Sequence, residues 1–117
     1  MTTLILTLPI PPLLNRIYHS KPKGGKVLTI AAREYKATAA WEAISYFGRR
    51  PKLTGDLALE MTVYRKRSNG DIDAFQKLLF DAMNDVLWLD DSQLVQMTVM
   101  KAMDRFNPRV ELKVWQI

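Results

Sequence analysis

Six charged residues in the middle of the chain are of the types that bind divalent metal ions and position phosphate groups. The segment Gly70-Asp71-Ile72-Asp73-Ala74-Phe75-Gln76-Lys77 is followed by Asp81 and then by Trp88-Leu89-Asp90-Asp91. Asp71 and Asp73 are two residues apart, so in an extended segment their side chains point the same way. Clustered carboxylates repel one another unless a cation lies between them, and hard oxygen ligands suit Mg²⁺ or Mn²⁺.

Such a site would suit the hydrolysis of a phosphodiester. A divalent ion can polarise the phosphate, lower the pKa of an attacking water and stabilise the leaving oxygen. A lysine adds positive charge where the transition state accumulates negative charge. The spacing of Asp73, Lys77 and Asp81 places all three on one polar stripe of a helix. Spacing alone leaves open whether the chain returns Asp91 to a position beside Asp71.

Each of these residues also has an ordinary structural interpretation. Asp73, with Gln76 three residues later, could cap a helix, and Asp71 after Asn-Gly could be a turn residue. The Asp73, Lys77 and Asp81 stripe could be a solvated ladder of ion pairs, and Asp90-Asp91-Ser92 could be an acidic turn. A D-x-D pattern is a weak motif by itself, so spacing alone favours these interpretations.

The net charge of +5 conceals an uneven distribution. Residues 1–67 carry 12 basic and 4 acidic side chains, residues 68–104 carry 2 and 7, and residues 105–117 carry 3 and 1. A basic field of this kind attracts polyanions and gives salt-dependent binding. The acidic middle segment is harder to explain by solubility alone.

Composition excludes several classes of protein. The chain has no cysteine, so it has neither disulfides nor a cysteine-ligated zinc site. The apolar N-terminal run is short and contains Pro9, Pro11 and Pro12, and no run is long enough to span a membrane. The single histidine, His19, lies in a basic loop, and no P-loop or dinucleotide-binding spacing is present. We expect a cytoplasmic protein with one domain, residues 1–117.

Periodicity predicts the order β-α-β-α-β-β, an α+β fold in which two helices pack on a mixed sheet. The strands are predicted at residues 3–8, 56–66, 93–101 and 109–116, and residues 20–28 as a flexible basic loop. The first helix should start after Thr29 as its cap and end near Phe47 before Gly48; the second should span Ala74 to Val86. The three tryptophans, Trp41, Trp88 and Trp115, are expected in the core.

The two halves of the chain resemble one known family. The pattern Asp71-x-Asp73-x-x-x-Lys77-x-x-x-Asp81, followed by Trp88-Leu89-Asp90-Asp91-x-Gln93, is similar to the signature of RusA-type Holliday junction resolvases. The N-terminal half agrees with Pro11-Pro12, Asn15-Arg16-x-Tyr18, a basic loop, and Thr29 ahead of Arg33-x-Tyr35. The resemblance covers essentially the whole chain, and two separated motifs in order are far more specific than D-x-D.

The resemblance implies a homodimeric, Mg²⁺-dependent endonuclease that resolves four-way DNA junctions by paired symmetric nicks, with Mn²⁺ as a substitute. It places the metal-binding carboxylates at Asp71, Asp73 and Asp91, with Asp90 as a further candidate, and the essential lysine at Lys77. Asp81 would form an ion pair with Lys77 or support the site indirectly. Bacteria and their phages are the known hosts of the family.

Two departures from the family pattern bear on activity. The family usually has asparagine where this chain has Ala74, and a glycine before the Trp88 segment where this chain has Asp85-Val86-Leu87. Neither change removes a proposed ligand, so we expect activity. A branched-DNA-binding protein without catalysis, and a metal nuclease acting on other structures, remain alternatives.

Charge identifies the residues that would hold the DNA backbone. Contacts to phosphate position DNA without reading its sequence. The candidates are Arg16, Lys21, Lys23, Lys26, Arg65, Lys66 and Arg67. A two-fold dimer would present two active sites to the two symmetric strands of a junction.

Overall fold

The fold is built on a four-stranded mixed sheet with two helices packed on one face. The structure is a computed structural model and describes residues 3–12, 18–48, 50–67 and 72–117, without the side chains of Asp73 and Ala74. The strands are β1 (Thr3–Leu8), β2 (Tyr18–Ser20), β3 (Lys26–Leu28), β4 (Leu57–Arg65), β5 (Leu94–Met103) and β6 (Arg109–Gln116). The helices are α1 (Ile30–Phe47) and α2 (Gln76–Met83). This confirms the predicted α+β class.

The order of strands across the sheet is β1-β6-β4-β5. Strand β6 pairs antiparallel with β1 on one side and with β4 on the other. Strands β4 and β5 are parallel, because the chain crosses over one face of the sheet through α2 before β5 begins. One face of the sheet is apolar and lies under the helices, and the other carries polar pairs such as Lys113 and Glu60.

Helix α1 forms where local signals predict it. Thr29 caps the helix, its side-chain oxygen accepting a hydrogen bond from the backbone N–H of Ala32 at 3.2 Å. Gly48 ends the helix with a positive φ of 68°, a conformation that glycine adopts without a steric penalty. The buried stripe is narrow and consists mostly of alanine, with two aromatic residues: Ala32, Tyr35, Ala39, Ala43 and Phe47. The alanines let α1 lie close to its neighbours.

The second helix is shorter than predicted. A 3₁₀ turn, Ile72–Phe75, precedes α2, and the helix ends at Met83 instead of Val86. Asn84 leaves the helical region and Asp85 has a positive φ of 65°, so the chain folds back on itself. The indole N–H of Trp88 then donates to Asn84 Oδ1 at 2.7 Å. Burial of Trp88 and its hydrogen bond to Asn84 therefore oppose continuation of the helix to Val86.

Residues 20–28 form a hairpin instead of the predicted loop. Strands β2 and β3 pair antiparallel, from Tyr18 opposite Leu28 to Ser20 opposite Lys26. The backbone N–H of Lys21 donates to the carbonyl of Gly25 at 3.1 Å, which closes the turn. Gly24 and Gly25 have φ values of 88° and 81°, which residues with a Cβ rarely adopt.

Of the three tryptophans, only one is a full core residue. Trp88 has no exposed surface, whereas Trp41 is 75% exposed, so the prediction for Trp41 is wrong. Alanines make up most of the buried face of α1, and Trp41 lies outside that stripe. Within the described ranges, no helix is both long and apolar enough to cross a membrane.

Candidate active site

The Asp90-Asp91 segment is held by a compact hydrogen-bonded turn. Asp90 caps a 3₁₀ turn, Asp91–Gln93, and Asp90 Oδ2 accepts from the backbone N–H of Ser92 at 3.0 Å. Hydrogen bonds from Ser92 lower the pKa of Asp90 below its ordinary value. Asp90 therefore acts as a helix cap here, a structural task that the sequence left open beside the metal-binding one.

Gln93 anchors this turn to the chain that leads into β4. Its side-chain oxygen accepts hydrogen bonds from the backbone N–H groups of Leu89 (2.9 Å) and Asp90 (3.1 Å). Its amide nitrogen donates to the carbonyls of Leu53 (3.1 Å) and Gly55 (3.0 Å). One side chain thus joins two segments that are about forty residues apart in sequence. Gln93 belongs to the sequence motif, but the sequence did not show this role.

Asp91 is the first residue of the 91–93 turn and is half-buried. It lines a shallow surface groove together with Phe80 of α2 and the start of β5, Leu94 to Met97. Within the described part of the chain, no hydrogen bond or ion pair engages its carboxylate. Asp91 is therefore a carboxylate held in place by the backbone and available to a cation.

Lys77 lies in the first turn of α2 and is held by two neighbours. Its ammonium group lies 3.6 Å from Asp81 Oδ2, one helical turn further on. Asp81 raises the pKa of Lys77 above its ordinary value, and the nearby Tyr18 hydroxyl adds to the effect. The predicted pair of Lys77 and Asp81 is confirmed. The contact with Tyr18 brings the β2–β3 hairpin next to the start of α2.

The remaining proposed ligands lie partly outside the described residues. Asp71 is outside them, and for Asp73 only the backbone, in the 72–75 turn, is described. Helix α2 begins at Gln76 with Phe75 as its cap residue, and the Gln76 amide donates to the Ile72 carbonyl at 2.9 Å. The capping box that the sequence allows for Asp73 and Gln76 depends on the Asp73 side chain, which lies outside the described part of the structure. A reciprocal capping box is present at Asp90 and Gln93.

The crossover from β4 to β5 separates the two acidic segments along the sheet. Gln93 binds the residues just before β4, so Asp91 lies at the end of the sheet where β4 and β5 begin. Ile72 lies at the far end of α2 from Met83. The rise of a 3₁₀ turn and an eight-residue α-helix puts it about 18 Å from Met83 along the axis. In the described residues, no three acidic or histidine side chains come together as a metal site.

The basic residues fall into two exposed groups and one buried position. Lys21, Lys23 and Lys26 are exposed on the hairpin, and Lys66 and Arg67 are exposed after β4. Arg65 is only 7% exposed and faces the helix-covered side of the sheet. A phosphate contact needs accessible surface, so we keep Lys66 and Arg67 and omit Arg65. Arg16 lies outside the described residues.

The charges and the fold together define a class of protein. The lysine-rich hairpin places Tyr18 near Lys77 of α2, and Asp91 offers an available carboxylate on the same small α+β domain. Cations that attract phosphates, combined with carboxylates suited to a hard metal ion, are characteristic of enzymes that act on nucleic acids.

Comparison with known proteins gives the family. Residues 9–115 match the family model described as endodeoxyribonuclease RusA. The chain is 30% identical over 121 residues to the crossover junction endodeoxyribonuclease RusA of Escherichia coli strain K12, covering 100% of this chain and 98% of the relative. The protein of the same name from Shigella sonnei is 28% identical over 123 residues, with the same coverage. The chain belongs to the RusA family of endodeoxyribonucleases.

Proposed function

We propose that this protein is a metal-dependent endodeoxyribonuclease that resolves four-way (Holliday) junctions by paired symmetric nicks, in DNA recombination and repair. The observation that carries the proposal is the end-to-end match to relatives named crossover junction endodeoxyribonuclease. The exposed lysines of the hairpin next to Lys77 support a polyanionic substrate. We infer a location in the cytoplasm of a bacterium, where such a DNA substrate occurs, and a phage or prophage origin is also consistent with this location.

We assign metal binding to Asp71, Asp73 and Asp91, with Mg²⁺ as the physiological ion and Mn²⁺ as a substitute. The donors fit the group, because they are all carboxylates and the Asp91 carboxylate has no partner in the described part of the chain. When bound, the ion would polarise the phosphodiester and acidify an attacking water. Asp90 is a lesser candidate, since one of its oxygens is committed to capping the 91–93 turn.

Lys77 serves the reaction as a fixed positive charge. Its raised pKa keeps the ammonium protonated at neutral pH, so it donates hydrogen bonds and does not act as a base. The ion pair with Asp81 positions the ammonium, and the Tyr18 hydroxyl lies near it. An ammonium placed beside the scissile phosphate would stabilise the negative charge that develops on the phosphate oxygens.

DNA is held through its backbone in this proposal. The contacts come from exposed lysines and arginines: Lys21, Lys23, Lys26, Lys66 and Arg67, with Arg16 from the sequence. Such contacts fix the position of the duplex arms but carry little sequence information. A homodimer would provide one active site for each of the two strands to be cut.

The test is cleavage of a labelled synthetic four-way junction in Mg²⁺, in Mn²⁺ and in EDTA. Wild-type protein should give paired symmetric nicks that disappear in EDTA and in Asp71→Asn. The matched control is Asp85→Asn, the same chemical change at an exposed aspartate whose positive φ asparagine tolerates. This variant should cleave like the wild type.

Other outcomes identify the alternatives. Junction binding without nicks in either metal would replace the proposed function with branched-DNA binding. The specific observation in favour of that alternative is Ala74 in the place of the family asparagine. Nicks confined to flaps or single strands in a substrate panel would retain the nuclease and change its substrate.

A further inference from the structure

The turn between β5 and β6, residues 104–108, presents an aromatic side chain to solvent. Phe106 is 92% exposed, the highest fraction among the large apolar side chains of the described residues. A single exposed apolar residue is ordinary on a protein surface, so exposure alone indicates no function. The construction of the turn and the charges around it give the exposure its meaning.

Hydrogen bonds hold the backbone that carries the ring. Asp104 Oδ1 accepts from the backbone N–H groups of Phe106 and Asn107, both at 3.1 Å. Asp104 Oδ2 pairs with Arg109 at 2.8 Å, and Arg109 also donates to the Asn107 carbonyl at 2.9 Å. The Arg109 guanidinium lies 4.0 Å from the centre of the Tyr64 ring on β4. An aromatic ring on a turn that is already ordered loses little conformational freedom on binding, which favours affinity.

The turn crosses the end of β4. Strands β5 and β6 lie on opposite sides of β4, so the chain between them passes over the point where β4 ends. There the backbone N–H of Asp104 donates to the Arg65 carbonyl at 2.9 Å. The chain that leaves β4 at Arg65 enters the 72–75 turn at Ile72, a span of at most about 25 Å. One DNA substrate can therefore contact both Phe106 and the 72–75 turn within about one helical turn, roughly 34 Å.

The exposed charges near Phe106 are cationic. Arg105 is exposed beside it, and Lys66 and Arg67 are exposed immediately after the end of β4. The acidic residue of the turn, Asp104, is engaged in an ion pair. A nucleic acid matches this surface, because its phosphates attract the cations and its bases stack on aromatic rings. An apolar protein partner would instead have to desolvate three positive charges.

A four-way junction offers a base that such a ring can reach. Bases inside a linear duplex are paired and stacked, so an aromatic side chain reaches their faces only by opening the helix. The cost of opening is lowest where pairing or stacking is already interrupted. At the branch point the strands pass from one helix to another, and the stack of each arm is interrupted there.

We propose that Phe106 is a specificity-determining residue whose ring stacks on a base at the branch point, while Arg105, Lys66 and Arg67 hold the neighbouring phosphates. The inference rests on the proposed junction nuclease and adds a base contact to a substrate otherwise held through its backbone. The 104–108 turn thereby contributes to the preference for branched over linear DNA.

The test compares wild-type protein and Phe106→Ala in their binding to a labelled four-way junction and to a linear duplex of the same arm sequence. Fluorescence anisotropy in EDTA keeps the DNA intact. Loss of one stacked base should weaken junction binding about 5- to 100-fold and duplex binding less than about twofold. Phe106→Tyr and Phe106→Trp keep an aromatic face and should retain the affinity of the wild type for the junction.

Two controls separate stacking from other effects. Trp41→Ala removes another exposed aromatic ring, 75% exposed on α1, and should bind both DNAs like the wild type. Arg105→Gln removes a charge beside the ring, so it should lower the slope of log affinity against log salt by about 1 for junction and duplex alike. Circular dichroism and urea denaturation should show every variant folded, because each altered side chain is exposed.

Three results would overturn the proposal. Phe106→Ala could bind the junction as tightly as the wild type, or it could lose affinity for junction and duplex to the same extent. It could also sediment as a smaller species than the wild type, which would assign the ring to a contact between copies of the chain. A wild-type protein with no preference for the junction would refute the proposed function instead, which distinguishes the two failures.

Discussion

The Gln93 anchor gives a direct test of how the Asp91 turn is held. Replacing Gln93 with alanine removes four hydrogen bonds, two to Leu89 and Asp90 and two to Leu53 and Gly55. Each hydrogen bond contributes a net stabilisation of about 1 kcal/mol. Some of the partners are exposed and bind water in the variant, so we expect a loss of about 2–3 kcal/mol in the free energy of unfolding. For a domain of this size that loss corresponds to a fall in Tm of roughly 8–12 °C.

Urea denaturation followed by circular dichroism measures this loss, with thermal unfolding as a second readout. The matched control is Gln116→Ala, since among the described residues the Gln116 side chain donates to Thr54 alone, to its carbonyl at 3.0 Å and its hydroxyl at 3.3 Å. We expect the control to lose about 1 kcal/mol or less. Gln93→Ala within about 0.5 kcal/mol of the wild type would refute the reasoning, as would a Gln116→Ala variant that is equally destabilised. Junction cleavage by Gln93→Ala should also slow, because Asp91 loses its support.

Three further changes test separate parts of the structure. Trp88→Phe should cost about 2–4 kcal/mol in urea denaturation, because it opens a void in the core and leaves Asn84 without its 2.7 Å hydrogen bond; an unchanged midpoint would contradict this. Hydrogen bonding to Arg109 lowers the pKa of Asp104. The ionised Asp104 therefore contributes to the free energy of unfolding above about pH 4, and this contribution is lost as the pH falls through the folded-state pKa. Asp104→Asn should therefore be less stable than the wild type at neutral pH and converge with it in acid-unfolding curves; a constant difference down to pH 2 would contradict this. Alanine at all three hairpin lysines should lower the slope of log affinity against log salt by about 2–3, measured by fluorescence anisotropy with a labelled junction, and an unchanged slope would place the DNA elsewhere. Those lysines are Lys21, Lys23 and Lys26.

Features set by neighbouring residues could be predicted from the sequence. Thr29 and Gly48 act within a turn of the helix ends they define, and the alternation of apolar residues in β4 follows from its position inside the sheet. The ion pair of Lys77 and Asp81 is of the same local kind, at i and i+4.

Features set by distant contacts could not be predicted. Helix α2 ends early because the buried indole of Trp88 donates a hydrogen bond to the Asn84 side chain. The residue types at 84–86 do not predict this contact. Gln93 reaches carbonyls about forty residues away, and Tyr18 reaches Lys77 from a hairpin that composition alone predicted to be a loop. The burial of Arg65 depends on which face of β4 the helices cover. The sequence alone does not distinguish Arg65 from the exposed basic residues that follow it.

The order of strands could not be predicted either, and it matters most for the site. Alternation in Val95, Met97 and Val99 indicated a strand but not that the strand would lie at an edge. Val99 is half-buried while Val95 and Met97 are exposed, and a bulge interrupts the register near the start of β5. That β4 has a parallel neighbour follows from the crossover through α2, which residue patterns do not reveal. The same crossover separates Asp91 from the 72–75 turn.

The pairing of β1 with β6 has a consequence for how the protein is made. Within the ranges that the structure describes, β1 has β6 as its single neighbour in the sheet, and Thr3 pairs with Trp115. At synthesis rates of about 5–20 residues per second, the apolar residues of β1 wait roughly 5–20 s before their partner leaves the ribosome. During that interval α1 is the element available to cover Leu4, Leu6 and Leu8. Helix α1 thus covers these apolar residues until β6 has been made. Variants that weaken α1 should therefore reduce the yield of newly made protein more than they reduce the free energy of unfolding of protein already folded.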